Sequence, residues 1–100
     1  MFTFDVKNNE GMVDVTLKGR LDATVAPQLH AELEKLTGSD VKKVVFYVKD
    51  LEYIASAGLR VILFSKQKLG ADTEVIMKDV NDEVRSVIEM TGFNSFITME

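Results

Sequence analysis

No cysteine occurs among the 100 residues. Disulfides, Cys-ligated zinc, iron–sulfur clusters and cysteine nucleophiles are therefore excluded. His30 is the one histidine. It rules out an all-histidine metal site and leaves a single imidazole for acid–base work. Proline is used once and glycine six times, so no Pro/Gly-rich linker divides the chain. Long apolar runs are missing as well. Val44–Val48 and Val61–Phe64 are the longest, far short of the roughly 20 residues of a membrane span. The start, Met1-Phe2-Thr3-Phe4-Asp5, has no basic stretch followed by an apolar one. No signal peptide is expected, and the expected setting is cytoplasmic.

What remains is ordinary globular composition, 46% hydrophobic and 28% charged. It argues against disorder and low complexity, and the length suits one domain over residues 1–100. The net charge of −4 disfavours nucleic acid and anionic membrane as partners.

The chain opens with period-2 alternation. Phe2, Phe4 and Val6 share one face, and Val13, Val15 and Leu17 repeat the pattern after Asn8-Asn9-Glu10-Gly11. Two such runs around a turn predict a β-hairpin. The period then lengthens. Ala26, Leu29, Leu33 and Leu36 mark a helix face, with Thr24 as its expected N-cap, Pro27 in the first turn and Gly38 as its stop. Val44-Val45-Phe46-Tyr47-Val48 is apolar without alternation, which predicts a central strand covered on both faces. Residues 50–58 read as a loop. Leu59, Ile62, Leu63 and Leu69 predict a second helix ending at Gly70. Val75-Ile76-Met77 is a further short strand. Val84, Val87 and Ile88 predict a third helix, capped by Asp79 or Asn81 and stopped by Gly92. Phe93, Phe96 and Ile97 are apolar enough to dock the tail. The order β-β-α-β-α-β-α predicts an α/β fold: a small mixed sheet, with an N-terminal hairpin and then parallel crossovers, and helices packed on it.

Functional groups of such sheets gather beyond the carboxyl ends of parallel strands. Two segments qualify, Gly19-Arg20-Leu21-Asp22-Ala23-Thr24 and Asp50-Leu51-Glu52-Tyr53-Ile54-Ala55-Ser56-Ala57-Gly58. If their strands are neighbours, Asp22 and Ser56 approach each other. Ser56 precedes a helical pattern, so its plain reading is an N-cap. The sharper reading rests on its small neighbours Ala55, Ala57 and Gly58, which leave the hydroxyl open to a partner. A helix start also tolerates a phosphate, which adds roughly −1.5 to −2 charges at one spot. Asp22 is read either as a cap for the first helix or as a group that bonds the Ser56 hydroxyl and repels a phosphate there. His30 is expected one step from the apolar face of the first helix, as a boundary residue of that face. No P-loop, dinucleotide fingerprint or Ser/His/Asp arrangement is present, and Asp79, Asp82 and Glu83 suit a helix dipole better than a metal. The residues point to no enzyme and to no cofactor of the chain's own.

Gly19-Arg20-Leu21-Asp22-Ala23 together with Asp50-Leu51-Glu52-Tyr53-Ile54-Ala55-Ser56-Ala57-Gly58-Leu59-Arg60 resembles the STAS domain family, and within it bacterial anti-sigma factor antagonists. The resemblance implies a small regulator that, unphosphorylated, binds an anti-sigma factor that is also a serine kinase. A sigma factor is thereby released. The kinase, using its own Mg²⁺ and ATP, phosphorylates the antagonist on a serine and breaks the complex, and a PP2C-type phosphatase restores it. Ser56 matches the phosphoacceptor and Asp22 the acidic residue beside it. The implied partner surface takes in Asp22, Ala23, Thr24, Ala55, Ala57, Gly58 and Leu59. Many relatives carry Asp or Ser where this chain has Ala55, which leaves Ser56 the only hydroxyl of the motif. The alternative is a structural STAS subunit of a lipid-transport ABC system or a stress-signalling assembly. A monomer is expected.

Overall fold

The computed structural model describes residues 2–35, 41–69, 73–95 and 97–100, without the side chains of Lys66 and Leu69. The expected roles of Leu36, Gly38, Gly70 and Phe96, and of the Leu69 side chain, lie outside the described residues.

The hairpin forms as the alternation predicts. Strands β1 (Thr3–Asn9) and β2 (Met12–Leu21) pair antiparallel, from Thr3 opposite Lys18 to Asn9 opposite Met12. The turn itself is only Glu10-Gly11, with φ of 53° and 91°. Two positive φ angles are what a two-residue hairpin turn requires. Gly11 meets this freely, and the Asn8 side chain accepts from its N–H at 3.2 Å.

Helix α1 (Ala26–Glu34) leads into β3 (Lys43–Tyr47), which lies parallel to β2. The predicted loop over 50–58 contains a further strand, β4 (Leu51–Ile54), also parallel to β2. One strand can serve both because β2 is ten residues long and breaks register at Gly19. Its first half pairs with β3 and its last three residues with β4. Gly19 has a φ of 93°, and its N–H donates to the Asp50 carbonyl at 3.0 Å. Helix α2 (Ser56–Leu69), strand β5 (Glu74–Lys78) parallel to β3, helix α3 (Asp82–Thr91), a short 3-10 turn (Phe93–Ser95) and strand β6 (Thr98–Met99) parallel to β5 complete the chain. The main sheet runs β1-β2-β3-β5-β6.

Local chemistry sets the ends of α3. Asn81 is its N-cap, accepting from the Val84 N–H at 2.8 Å. Gly92 closes it in the left-handed region. At α1 the expectation fails: the N-cap position is Val25, not Thr24. Asp22 supersedes Thr24, since its Oδ1 accepts from the N–H groups of both Thr24 and Val25 at 3.0 and 3.3 Å.

The buried side chains of the three helices form one cluster with Val13, Val15, Leu17, Val44, Phe46, Val75 and Met77. Val45 and Ile76, which alternate to the other face, are buried but lie outside that cluster. Val44, Val45 and Phe46 are all buried, so β3 is enclosed on both faces as its sequence predicts. Val45 has a strand on either side. It lies in register between Asp14 and Ile76, and the Tyr47 hydroxyl reaches diagonally to Asp14 Oδ1 at 3.4 Å. No described helix is long and apolar enough to cross a membrane.

Candidate functional site

The two segments singled out from the sequence meet at the carboxyl end of β2. Leu21 pairs with Ile54, and the Ala55 N–H donates to the Leu21 carbonyl at 2.8 Å. The loop after β2 and the start of α2 are therefore joined through the backbone.

On the β2 side, Asp22 organises the turn. Its carboxylate holds Thr24 and Val25, and its carbonyl accepts from the Ala26 N–H at 3.0 Å. The carboxylate is thus committed to its own loop and makes no hydrogen bond to the Ser56 hydroxyl. Asp22 is half-buried, whereas Ala23 and Thr24 are exposed.

On the α2 side, the helix begins one residue earlier than a Ser56 cap requires. The Ala55 carbonyl accepts the first helical bond, from the Leu59 N–H at 3.1 Å, so Ala55 occupies the capping position and Ser56 is the first helical residue. Ser56 is exposed and its hydroxyl has no hydrogen-bond partner within the described structure. Ala55 and Ala57 are half-buried beside it. Gly58 and Leu59 are buried, and Leu59 belongs to the core. These two position the helix and present no side chain to a partner. Gly58 has a specific reason to be glycine. A Cβ there would lie 2.6 Å from Leu21 Cγ and 3.2 Å from the Leu21 carbonyl oxygen. Its absence lets the first turn of α2 press against the end of β2.

Two cations flank these elements, and composition alone did not single them out. Arg20, exposed on β2, stands opposite Tyr53 of β4 with its guanidinium 4.4 Å from the ring centroid. Arg60 is exposed and follows Ser56 by one helical turn, so the two share a helix flank. Within the described residues Arg60 makes no ion pair. The signal was present in Gly-Arg-Leu-Asp and Ser-Ala-Gly-Leu-Arg, but only the pairing of β2 with β4 brings the two segments together.

His30 is half-buried at the edge of the apolar face of α1, as expected, bonding Glu34 at 2.9 Å with its ring 4.5 Å from Phe64. Among the described residues no cluster of His, Asp and Glu converges as a metal site does. The site is an exposed hydroxyl on a shelf of small residues, beside a loop fixed by a carboxylate. Among the described residues no side chain hydrogen-bonds this hydroxyl.

Comparison with known proteins agrees with this architecture. The STAS domain profile matches residues 3–100. BtrV of Bordetella bronchiseptica, named as an anti-sigma factor antagonist, is 37% identical over 87 residues, spanning 86% of this chain and 75% of that protein. An anti-sigma factor antagonist from Mycobacterium paratuberculosis superposes with a TM-score of 0.82 at 22% identity, over 99% of this chain and 85% of the other. SpoIIAA in its unphosphorylated form gives 0.78 at 19% identity, over 98% and 87%. The phosphorylated form, from Bacillus, gives 0.71 at 18% identity, over 98% and 91%.

Proposed function

This chain belongs to the STAS domain family, and from that membership we propose that it is an anti-sigma factor antagonist switched by phosphorylation of Ser56. The observation that carries the reading is the state of the Ser56 hydroxyl: exposed, free of hydrogen bonds among the described residues, and set among Ala55, Ala57 and Gly58. A hydroxyl used only as a cap is turned back onto its own helix, and this one is not.

In its unmodified state the shelf of Ala23, Thr24, Ala55, Ser56 and Ala57 packs against an anti-sigma factor with serine-kinase activity. Asp22 holds the loop that carries Ala23 and Thr24 in shape. Gly58 and Leu59 hold the helix. The partner brings Mg²⁺ and ATP, and its transfer of the γ-phosphoryl group to the Ser56 oxygen releases ADP. The phosphate adds charge and bulk at the centre of a close contact, which desolvation and repulsion then break. A PP2C-type phosphatase resets the protein. The chain is a regulator in this scheme, not a catalyst. Its compartment is the cytoplasm, where sigma factors act.

The test is intact mass after incubation with the cognate anti-sigma kinase and Mg-ATP. A gain of one phosphate in the parent and none in Ser56→Ala supports the reading. No gain with a kinase that is active and binds the protein overturns it, and the structural-subunit alternative then takes its place.

A further inference from the structure

Strand β1 forms one edge of the sheet and pairs on one side only, with β2. It is seven residues long, in unbroken register from Thr3 to Asn9, without proline or bulge. No described element covers its outer side. Natural proteins protect such an edge with bulges, prolines, covering segments or charges. Here only charge is present, in Asp5 and Lys7, whose side chains are 65% and 72% exposed.

The hairpin geometry states which backbone groups remain free. In a two-residue hairpin the residues flanking the turn, Asn9 and Met12, exchange hydrogen bonds, and bonded and non-bonded pairs alternate from there. Thr3, Asp5, Lys7 and Asn9 therefore direct their N–H and C=O groups toward β2. Phe4, Val6 and Asn8 direct theirs outward, as a second antiparallel strand requires.

We propose that this edge pairs with β1 of a second copy of the chain, antiparallel, about a twofold axis at Val6. An isologous contact must complement itself, and β1 does so in one register. With the axis at Val6, Asp5 of each copy lies opposite Lys7 of the other, twice over, and Phe4 lies opposite Asn8. An axis at Asp5 sets two carboxylates face to face, and one at Lys7 sets two ammonium groups face to face. Axes at Phe4 or Asn8 leave the charges opposite neutral residues. Within one chain Lys7 and Asp5 are 3.9 Å apart on a single strand, an exposed contact that gives either charge little reason to stay. Phe2, Phe4 and Val6 are half-buried along the same edge, the two rings 5.7 Å apart, and strand pairing covers what they leave exposed.

The geometry departs from the monomer expected of the sequence and has a functional corollary. The β2 strands of the two copies run in opposite directions, so the two Ser56 shelves point away from each other and both stay free. The dimer is a two-headed ligand for its partner. Self-association is measured without the kinase, so its failure and that of the phosphorylation scheme are separate results.

Sedimentation velocity of the full chain, from micromolar to millimolar concentration, tests the proposal. The parent is expected to convert from monomer to dimer across that range. Asp5→Lys and Lys7→Asp each place like charges in both cross-strand pairs and weaken association by about tenfold or more. An equimolar mixture of the two variants puts opposite charges in both pairs and recovers the parent's affinity. Lys7→Asp also faces Asp14 across the hairpin, so Lys7→Gln is measured beside it, and circular dichroism confirms that each variant is folded. A parent that stays monomeric throughout overturns the proposal. So does an association that single reversals leave unchanged, or a mixture that fails to recover.

Discussion

Replacing Gly58 with alanine sets two known effects against each other. Alanine is favoured over glycine inside a helix by about 1 kcal/mol, so an unconstrained site would gain stability. Gly58 is constrained. The new methyl would lie 2.6 Å from Leu21 Cγ and 2.9 Å from Leu21 Cδ2. Carbon atoms in contact prefer about 3.5–4.0 Å, so the Leu21 side chain must shift by roughly 1 Å. Leu21 is fully buried, and its carbonyl holds the Ala55 N–H at 2.8 Å. Neither side chain nor backbone can yield cheaply. Overpacking of this kind costs about 1–3 kcal/mol and outweighs the helical gain. The net expectation is a loss of about 1 kcal/mol. Urea unfolding followed by circular dichroism reads it as a midpoint lowered by about 0.5–1 M. The same clash predicts a coupling. Leu21→Ala alone should cost about 2–5 kcal/mol, and in that background Gly58→Ala should turn stabilising because the methyl enters vacated space. A parent midpoint that rises with Gly58→Ala, or costs that simply add in the double variant, would refute the reasoning.

Asn81→Ala removes both the N-cap bond to Val84 and the donor that reaches the Leu51 carbonyl at 2.7 Å. A lost cap costs about 1 kcal/mol and an unpaired buried carbonyl about 1–2, so urea unfolding should show a loss of about 2–3 kcal/mol; less than about 0.5 would mean that water replaces both contacts. Ser56→Ala should change stability by less than about 0.5 kcal/mol in the same assay, since the hydroxyl bonds nothing. A loss of about 1 kcal/mol would restore the cap reading of Ser56.

Where local chemistry decides, the structure follows the sequence. The alternation of Phe4 and Val6 with Val13, Val15 and Leu17 is the hairpin. Asn81 and Gly92 bound α3 where residue type puts a cap and a stop. Where a distant segment decides, sequence reading falls short. Leu51–Ile54 carries only four residues of pattern, and it is a strand because β2 continues past Gly19 with an edge left to pair. Thr24 is a good cap by type, but Asp22 reaches the same N–H groups first. Val45 is as apolar as Val44, yet Val44 joins the cluster of the helices and Val45 lies outside it between Asp14 and Ile76, a distinction invisible in a short run of β-branched residues. The candidate site was legible as two motifs. Their junction was not, because it is a parallel ladder between strands some thirty positions apart, with a shifted register at Gly19.

The division of β2 between β3 and β4 also fixes how the molecule can open. Over Met12–Thr16 β2 has a strand on each side, β1 on one and β3 on the other, whereas Gly19–Leu21 pairs with β4 alone. That first half cannot be exposed to solvent by the fraying of a single neighbour, so it belongs to the last cooperative unit to unfold. Because the Ala55 N–H is bonded to the final residue of that strand, the shelf carrying Ser56 hangs on its singly paired end. The end of β2 and the shelf on it can therefore open without the rest of the strand, and a partner that binds the shelf closes that motion.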